Sequence, residues 1–210
     1  MADLFMPPLN LPPLYAIFDP EQIKGRDGVT VLRQLLTVGV VQLRAKIMAP
    51  VDFLALAREA RALTEARGCK LIVNDRVDIA RACDADGVHL GQDDLPLHPA
   101  RQLLGNKLIG VSTHSVEQAE AAERGGADYI GFGPMFGTAT KDTGYTARGV
   151  DMLREVRAAV KIPIVGIGGI NEGNVSQVWQ AGADSAAIIS DILGADDIAA
   201  KVTRILRQSQ

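Results

Sequence analysis

In the run "VVQLRAK", Gln42, Arg44 and Lys46 alternate with apolar residues. On an extended strand successive side chains point to opposite faces. Val41, Leu43 and Ala45 therefore share one face, and Gln42, Arg44 and Lys46 share the other. Two cations directed into a closed sheet need anionic company, because unpaired buried charge is expensive. The chemistry this suggests is capture of a phosphate-like anion, with internal ion pairs as the competing explanation.

Acidic residues end the next two apolar runs. "IVND" closes on Asn74 and Asp75, and "VHLGQDD" closes on Asp93 and Asp94. A single Asp in such a place commonly caps a helix. Two acids on successive strand ends beside a basic strand also suit Mg²⁺, which keeps several waters and takes substrate phosphate oxygens. A carboxylate pair for proton transfer is the alternative. In "GVSTHS", Ser112 or Thr113 offers a hydroxyl to a phosphate, and His114 is either a base or a plain loop residue. His89 lies within a strand and His98 beside Pro99, and no His/Cys cluster has zinc-ligand spacing.

Two further stretches complete the set. "GPMFGTATKDTG" places Thr138, Thr140 and Lys141 within four residues, more polar chemistry than a turn requires. "PIVGIGGINEGN" contains Gly168-Gly169, and "AAIISDI" delivers Ser190. Glycines let backbone N–H groups come close to an anion. The pattern suggests two anion sites. One has cations, acids and a metal, as a diphosphate requires; the other is glycine-rich, as a monophosphate allows.

Positioning these residues falls to eight short apolar runs: 14–18, 40–45, 70–74, 87–90, 108–112, 129–133, 163–168 and 185–190. Helical spacing fills the gaps. In "VDFLALAREARALTEARG" an apolar stripe runs through Phe53, Leu54, Leu56, Ala57, Ala60 and Leu63, with Gly68 as a C-cap. Ser115 and Gln118 make a capping-box pattern. Alternating strands and helices imply parallel strands joined by right-handed crossovers. Eight such units predict a single (β/α)8 TIM barrel over 14–210, preceded by a short irregular arm over 1–13 that holds Pro7, Pro8, Pro12 and Pro13. An open doubly wound sheet is the alternative, but no G-x-G-x-x-G follows the first run. No internal repeat is evident beyond the alternation itself. In the barrel, strand C-termini carry the active site, and loops seven and eight form a recurring phosphate site.

The bulk composition narrows the class. Of 210 residues 47% are hydrophobic, enough for one sizeable core. The net charge of −3 argues against a nucleic-acid surface. Cys69 and Cys83 make no disulfide framework and read as free thiols in a reducing compartment. No run of about 18 apolar residues suggests a membrane span. No Lys or Arg precedes Lys24, so a secretory n-region is not expected and a cytoplasmic location is.

Seven motifs, "VQLRAK", "LIVNDRVDIA", "ADGVHLGQDDLP", "IGVSTHS", "GPMFGTATK", "IVGIGGI" and "AAIIS", occur in one order across about residues 14–191. As an ordered set they resemble the thiamine phosphate synthase (thiamine-phosphate pyrophosphorylase) family. The resemblance implies a (β/α)8 barrel that joins hydroxymethylpyrimidine diphosphate to a thiazole phosphate and releases pyrophosphate, with Mg²⁺ as cofactor. It implies that Gln42, Arg44, Lys46, Asn74, Ser112 and Lys141 hold the pyrimidine diphosphate, with Arg44, Lys46 and Lys141 stabilising the leaving group. Asp75 and Asp94 would bind the metal, and Thr138, Thr140, Gly169, Ile189 and Ser190 the thiazole phosphate. The implied partners are small molecules, not nucleic acid or membrane, with a homo-oligomer left open. Ala45 stands where the family often has an acid, and Gly137 and Ala139 replace frequent prolines. Two rival readings are a thiazole tautomerase on the same barrel and a non-catalytic phosphate sensor. Lys141, Asp75 and Asp94 together favour the synthase.

Overall fold

Eight strands, each parallel to its neighbours, close into a barrel in sequence order. They are β1 (Leu14–Phe18), β2 (Val40–Leu43), β3 (Lys70–Asn74), β4 (Gly87–Leu90), β5 (Leu108–Thr113), β6 (Tyr129–Phe132), β7 (Ile164–Ile167) and β8 (Ser185–Ile188). β8 returns to β1, with Leu14 opposite Ala186, so no edge remains. These are the features of a computed structural model that describes residues 9–137 and 146–209. Around the barrel run α1 (Gly28–Leu35), α2 (Pro50–Glu65), α3 (Val77–Ala82), α4 (Leu97–Leu104), α5 (Val116–Arg124), α6 (Gly149–Ala159), α7 (Val175–Gln180), α8 (Ser190–Leu193) and α9 (Ile198–Arg207). The closed barrel settles the choice against an open sheet.

Three strands match their predicted bounds, and most of the others stop short at the mouth. There the chain leaves the ladder to build loops; after β7, for example, Gly168 turns at φ +95°. The helices obey their local signals. The α2 stripe buries Phe53, Ala57 and Ala60 against the barrel, with Thr64 continuing it. Ser115 caps α5 by accepting from the Gln118 N–H, and the Gln118 side chain accepts in return from the His114 N–H.

Two hydrophobic clusters divide the core. The larger lies between strands and helices and contains Val41, Leu43 and, partly buried, Ala45. This is the helix-facing role their alternation predicted. The smaller fills the barrel interior with Tyr15, Ile17, Val40, Ile72, Tyr129, Val165 and Ala187. Leu11, just before β1, is buried with this interior group. Interior space is scarce. A Cβ on Gly110 would stand 2.1 Å from the Tyr129 ring, so a glycine there admits the aromatic.

A structural device recurs around the barrel, although no sequence repeat beyond the alternation marks it. Asp86, Asp128 and Asp184 immediately precede β4, β6 and β8. Each carboxylate accepts from a backbone N–H of the preceding strand: Leu71 (2.8 Å), Ile109 (2.7 Å) and Ile164 (2.8 Å). Each also accepts from an arginine two elements earlier in the wall: Arg61 of α2, Arg101 of α4 and Arg157 of α6. The same clip thus recurs three times at the N-terminal end of the barrel. It escapes a sequence scan because its halves lie about 25 residues apart, on different elements (Arg61 and Asp86, for example).

Candidate active site

At the strand C-termini a pocket brings together Gln42, Arg44, Lys46, Asn74, Ser112, Gly169, Ile189 and Ser190. Eight sequence-predicted site residues, separated by up to 148 positions in the chain, therefore share one cavity. Thr138, Thr140 and Lys141 lie outside the described residues. β2 projects Gln42 into the barrel, and its register against Ile17 and Ile72 fixes that height. Asn74 ends β3, opposite His89 of β4. Ser112 lies near the end of β5, opposite Gly131.

Both cations have internal carboxylate partners, the explanation that competed with an anion site in the charge argument from sequence. Arg44 is ion-paired with Asp19, which follows β1 and is completely buried. Asp19 also accepts from the Glu21 N–H at 3.0 Å. Lys46 is ion-paired with Asp75. Both cations nevertheless line the pocket. A guanidinium has five N–H donors and can hold a carboxylate while presenting others.

Asp75 adopts left-handed geometry, φ +65°, and its N–H donates to the His89 carbonyl at 2.8 Å. The turn sets its carboxylate beside that of Asp94. The Gly91 N–H donates to Asp94 Oδ2 at 2.6 Å. Burial and then the neighbouring Asp75 carboxylate hold the Asp94 carboxyl above the usual carboxylate range. Neither acid lines the pocket itself, but Asp75 is paired with the pocket-lining Lys46, and two mutually repelling acids there are a fit for a hard cation, which relieves that repulsion. Among the described residues no group of three or more His, Cys, Asp or Glu forms a metal cluster. Substrate oxygens and water would complete the coordination of a bound ion.

The opposite wall is glycine-rich. Gly168 and Gly169 have φ of +95° and +68°, and the Asn174 side chain donates to the Gly169 carbonyl at 3.0 Å. The Phe136 N–H donates to the Gly168 carbonyl at 2.9 Å, zipping this turn to the start of the threonine loop. Lys201 of α9 bridges Glu172 and Asp191, each at 2.9 Å, and ties the glycine turn's loop to α8. His114 also lines the pocket, with Nδ1 2.6 Å from the Gly133 carbonyl.

Four contributors were not anticipated. Asp19 carried only the signal of an acid after the first run, "IFDP". Tyr15 and Tyr129 are buried below the pocket and His89 lines it, and the three link Gln42 to Ser112. Strand parity places Tyr15 and Tyr129 on inward faces, but nothing in one sequence says that their hydroxyls meet.

Polar donors, ion-paired cations and a carboxylate pair at the strand C-termini place this chain among the (β/α)8-barrel enzymes. The family model described as thiamine monophosphate synthase matches residues 14–192. The chain belongs to the thiamine monophosphate synthase family. It is 47% identical over 194 residues to a thiamine-phosphate synthase of Chloroflexus aurantiacus, covering 91% of this chain and 90% of that protein. A thiamine-phosphate synthase of Alkaliphilus oremlandii is also 47% identical, over 88% of this chain and 90% of that protein. Among solved structures, thiamine phosphate pyrophosphorylase from Pyrococcus furiosus superposes with a TM-score of 0.87. It is 35% identical and covers 95% of this chain and 96% of its own. A 3-hexulose-6-phosphate synthase, 17% identical with a TM-score of 0.66, shares the fold alone.

Proposed function

We propose that the protein is a thiamine-phosphate synthase that joins hydroxymethylpyrimidine diphosphate to a thiazole phosphate. The pyrimidine's methylene–oxygen bond breaks, pyrophosphate departs with the electron pair, and the thiazole nitrogen forms the new bond to carbon. The observation that carries this reading is one pocket with two unlike walls. Arg44, Lys46 and the nearby Asp75–Asp94 pair stand on one side, and Gly169 and Ser190 on the other.

An electron-rich aminopyrimidine favours a loose transition state, with positive charge on carbon and negative charge on the departing oxygen. Arg44 and Lys46 orient the diphosphate and stabilise that developing charge. Asp19 and Asp75 hold the two cations in place beforehand, which limits reorganisation during reaction. Lys141 adds a third cation from the loop after β6. Asp75 and Asp94 would hold Mg²⁺, which when bound neutralises diphosphate charge. Gln42, Asn74 and Ser112 orient the pyrimidine. Gly169, Ile189 and Ser190, with Thr138 and Thr140, receive the thiazole phosphate. No enzyme nucleophile is required.

A pyrophosphate-release assay with omissions tests the proposal. Release is expected only with both substrates and Mg²⁺, to cease in chelator, and to fall severely in Asp75→Ala. Rearrangement of the thiazole without pyrophosphate release would point to a tautomerase instead.

A further inference from the structure

At the floor of the pocket an unbroken hydrogen-bonded chain crosses the barrel. Gln42 Nε2 donates to the Tyr15 hydroxyl at 3.1 Å. The Tyr15 and Tyr129 hydroxyls are 2.9 Å apart. The Tyr129 hydroxyl is 3.3 Å from His89 Nδ1, and His89 Nε2 is 2.9 Å from Ser112 Oγ. Tyr15, Gln42, His89 and Tyr129 are all buried. Burial holds both phenols well above their ordinary pKa, so each keeps its proton.

Counting hydrogens gives the chain a direction. Each phenol has one hydrogen. Tyr15 accepts from Gln42, so its hydrogen goes to Tyr129. Tyr129's hydrogen then goes to His89 Nδ1. Nε2 must therefore carry the ring proton, and it donates to Ser112. Ser112's own hydrogen is left to point into the pocket, and Gln42 presents its Oε1. Reversing the order requires turning the Gln42 amide and the histidine tautomer together.

We infer that Tyr15, Tyr129 and His89 are positioning residues that fix a donor at Ser112 and an acceptor at Gln42. They thereby select a ring bearing an amine beside a bare nitrogen over its oxo counterpart. The inference rests on the proposed function. An aminopyrimidine offers an N–H donor and a ring-nitrogen acceptor, which match the acceptor and donor of the pocket. The oxo ring offers a carbonyl and a ring N–H, so its carbonyl would face Gln42 Oε1 and leave two acceptors opposed. A site built to hydrogen-bond one pattern rejects the analogue that leaves its groups unpaired. The glycines beside the chain suit this role, since a Cβ on Gly131 would stand 2.9 Å from the His89 ring.

Calorimetric titration with hydroxymethylpyrimidine diphosphate and its oxo analogue, on wild type, Tyr129→Phe and Tyr15→Phe, tests this. Wild type should prefer the amino ligand by about 10²-fold or more, as expected of a site that hydrogen-bonds its ligand. Each variant should narrow that ratio at least about tenfold, the scale of one mispaired polar group. A ratio taken on one protein is independent of its folded fraction. A merely structural role lowers both affinities together, so an unchanged ratio in a variant that still binds overturns the inference and leaves the proposed function standing. Equal affinity of wild type for both ligands overturns it as well, even where a variant fails to fold. Binding of neither ligand by wild type overturns the proposed function, and the inference with it.

Discussion

Gly169→Ala tests whether the glycine turn is a built part of the site. Gly169 has φ +68°, a region where a side chain costs about 1–2 kcal/mol. An added Cβ would stand 2.6 Å from the Gly137 carbonyl oxygen and 2.8 Å from the Phe136 carbonyl carbon. These are backbone atoms, held by the Met135 and Phe136 N–H bonds to Ile167 and Gly168. No rotamer change relieves the contact, so overpacking adds about 1–3 kcal/mol. The sum, about 2–5 kcal/mol, corresponds to a loss of about 4–20 °C in Tm for a chain of this size. Gly137→Ala is the control, because a Cβ there meets nothing within 4 Å. Thermal unfolding by circular dichroism reads stability, and titration with thiazole phosphate reads the site. Expected are a large Tm loss and weakened thiazole phosphate binding for Gly169→Ala alone. Equal behaviour of the two variants in both measurements would refute the reasoning, since only one of them meets backbone.

Lys141→Ala should cut the single-turnover rate at saturating substrates by about 10²-fold or more, while Thr140→Val mainly raises the thiazole phosphate requirement. A near wild-type rate for Lys141→Ala would remove the lysine from the leaving-group machinery. Ser190→Asp adds negative charge on the glycine-rich wall and should weaken thiazole phosphate binding more than pyrimidine diphosphate binding; the opposite result in paired titrations reverses the two sites. Burial, with Asp86 second, pushes the Cys69 thiol up to about 11, and burial also raises Cys83. Neither thiol should react appreciably with a disulfide reagent at neutral pH until urea unfolds the chain, and rapid labelling of the native protein would contradict that.

Sequence periodicity carried the fold because parallel strands buried on both sides are short apolar runs bounded by polar loops, and eight of them stand out. The candidate site was legible where polar and charged residues interrupt apolar runs. Arg44, Lys46, Asn74, Asp75 and Ser112 all announce themselves by breaking a strand's expected pattern. Asp19 did not, because a single acid after a strand is common and its partner Arg44 lies 25 residues away. The tyrosine–histidine chain was hidden for a related reason. Tyr15 and Tyr129 are good strand residues on packing grounds, and only barrel closure brings their hydroxyls to 2.9 Å across 114 positions. The Arg–Asp clips are equally non-local. What one sequence shows poorly is pairing between elements; what it shows well is each element's own pattern.

The most direct measurement of the central claim is a phosphorus NMR time course with hydroxymethylpyrimidine diphosphate, thiazole phosphate and Mg²⁺. The proposed function requires thiamine phosphate and pyrophosphate to appear in equal amounts as both substrates disappear, with neither product formed when one substrate is omitted. Loss of the pyrimidine diphosphate to hydrolysis alone, or no change in its resonances while enzyme and Mg²⁺ are present, would contradict it.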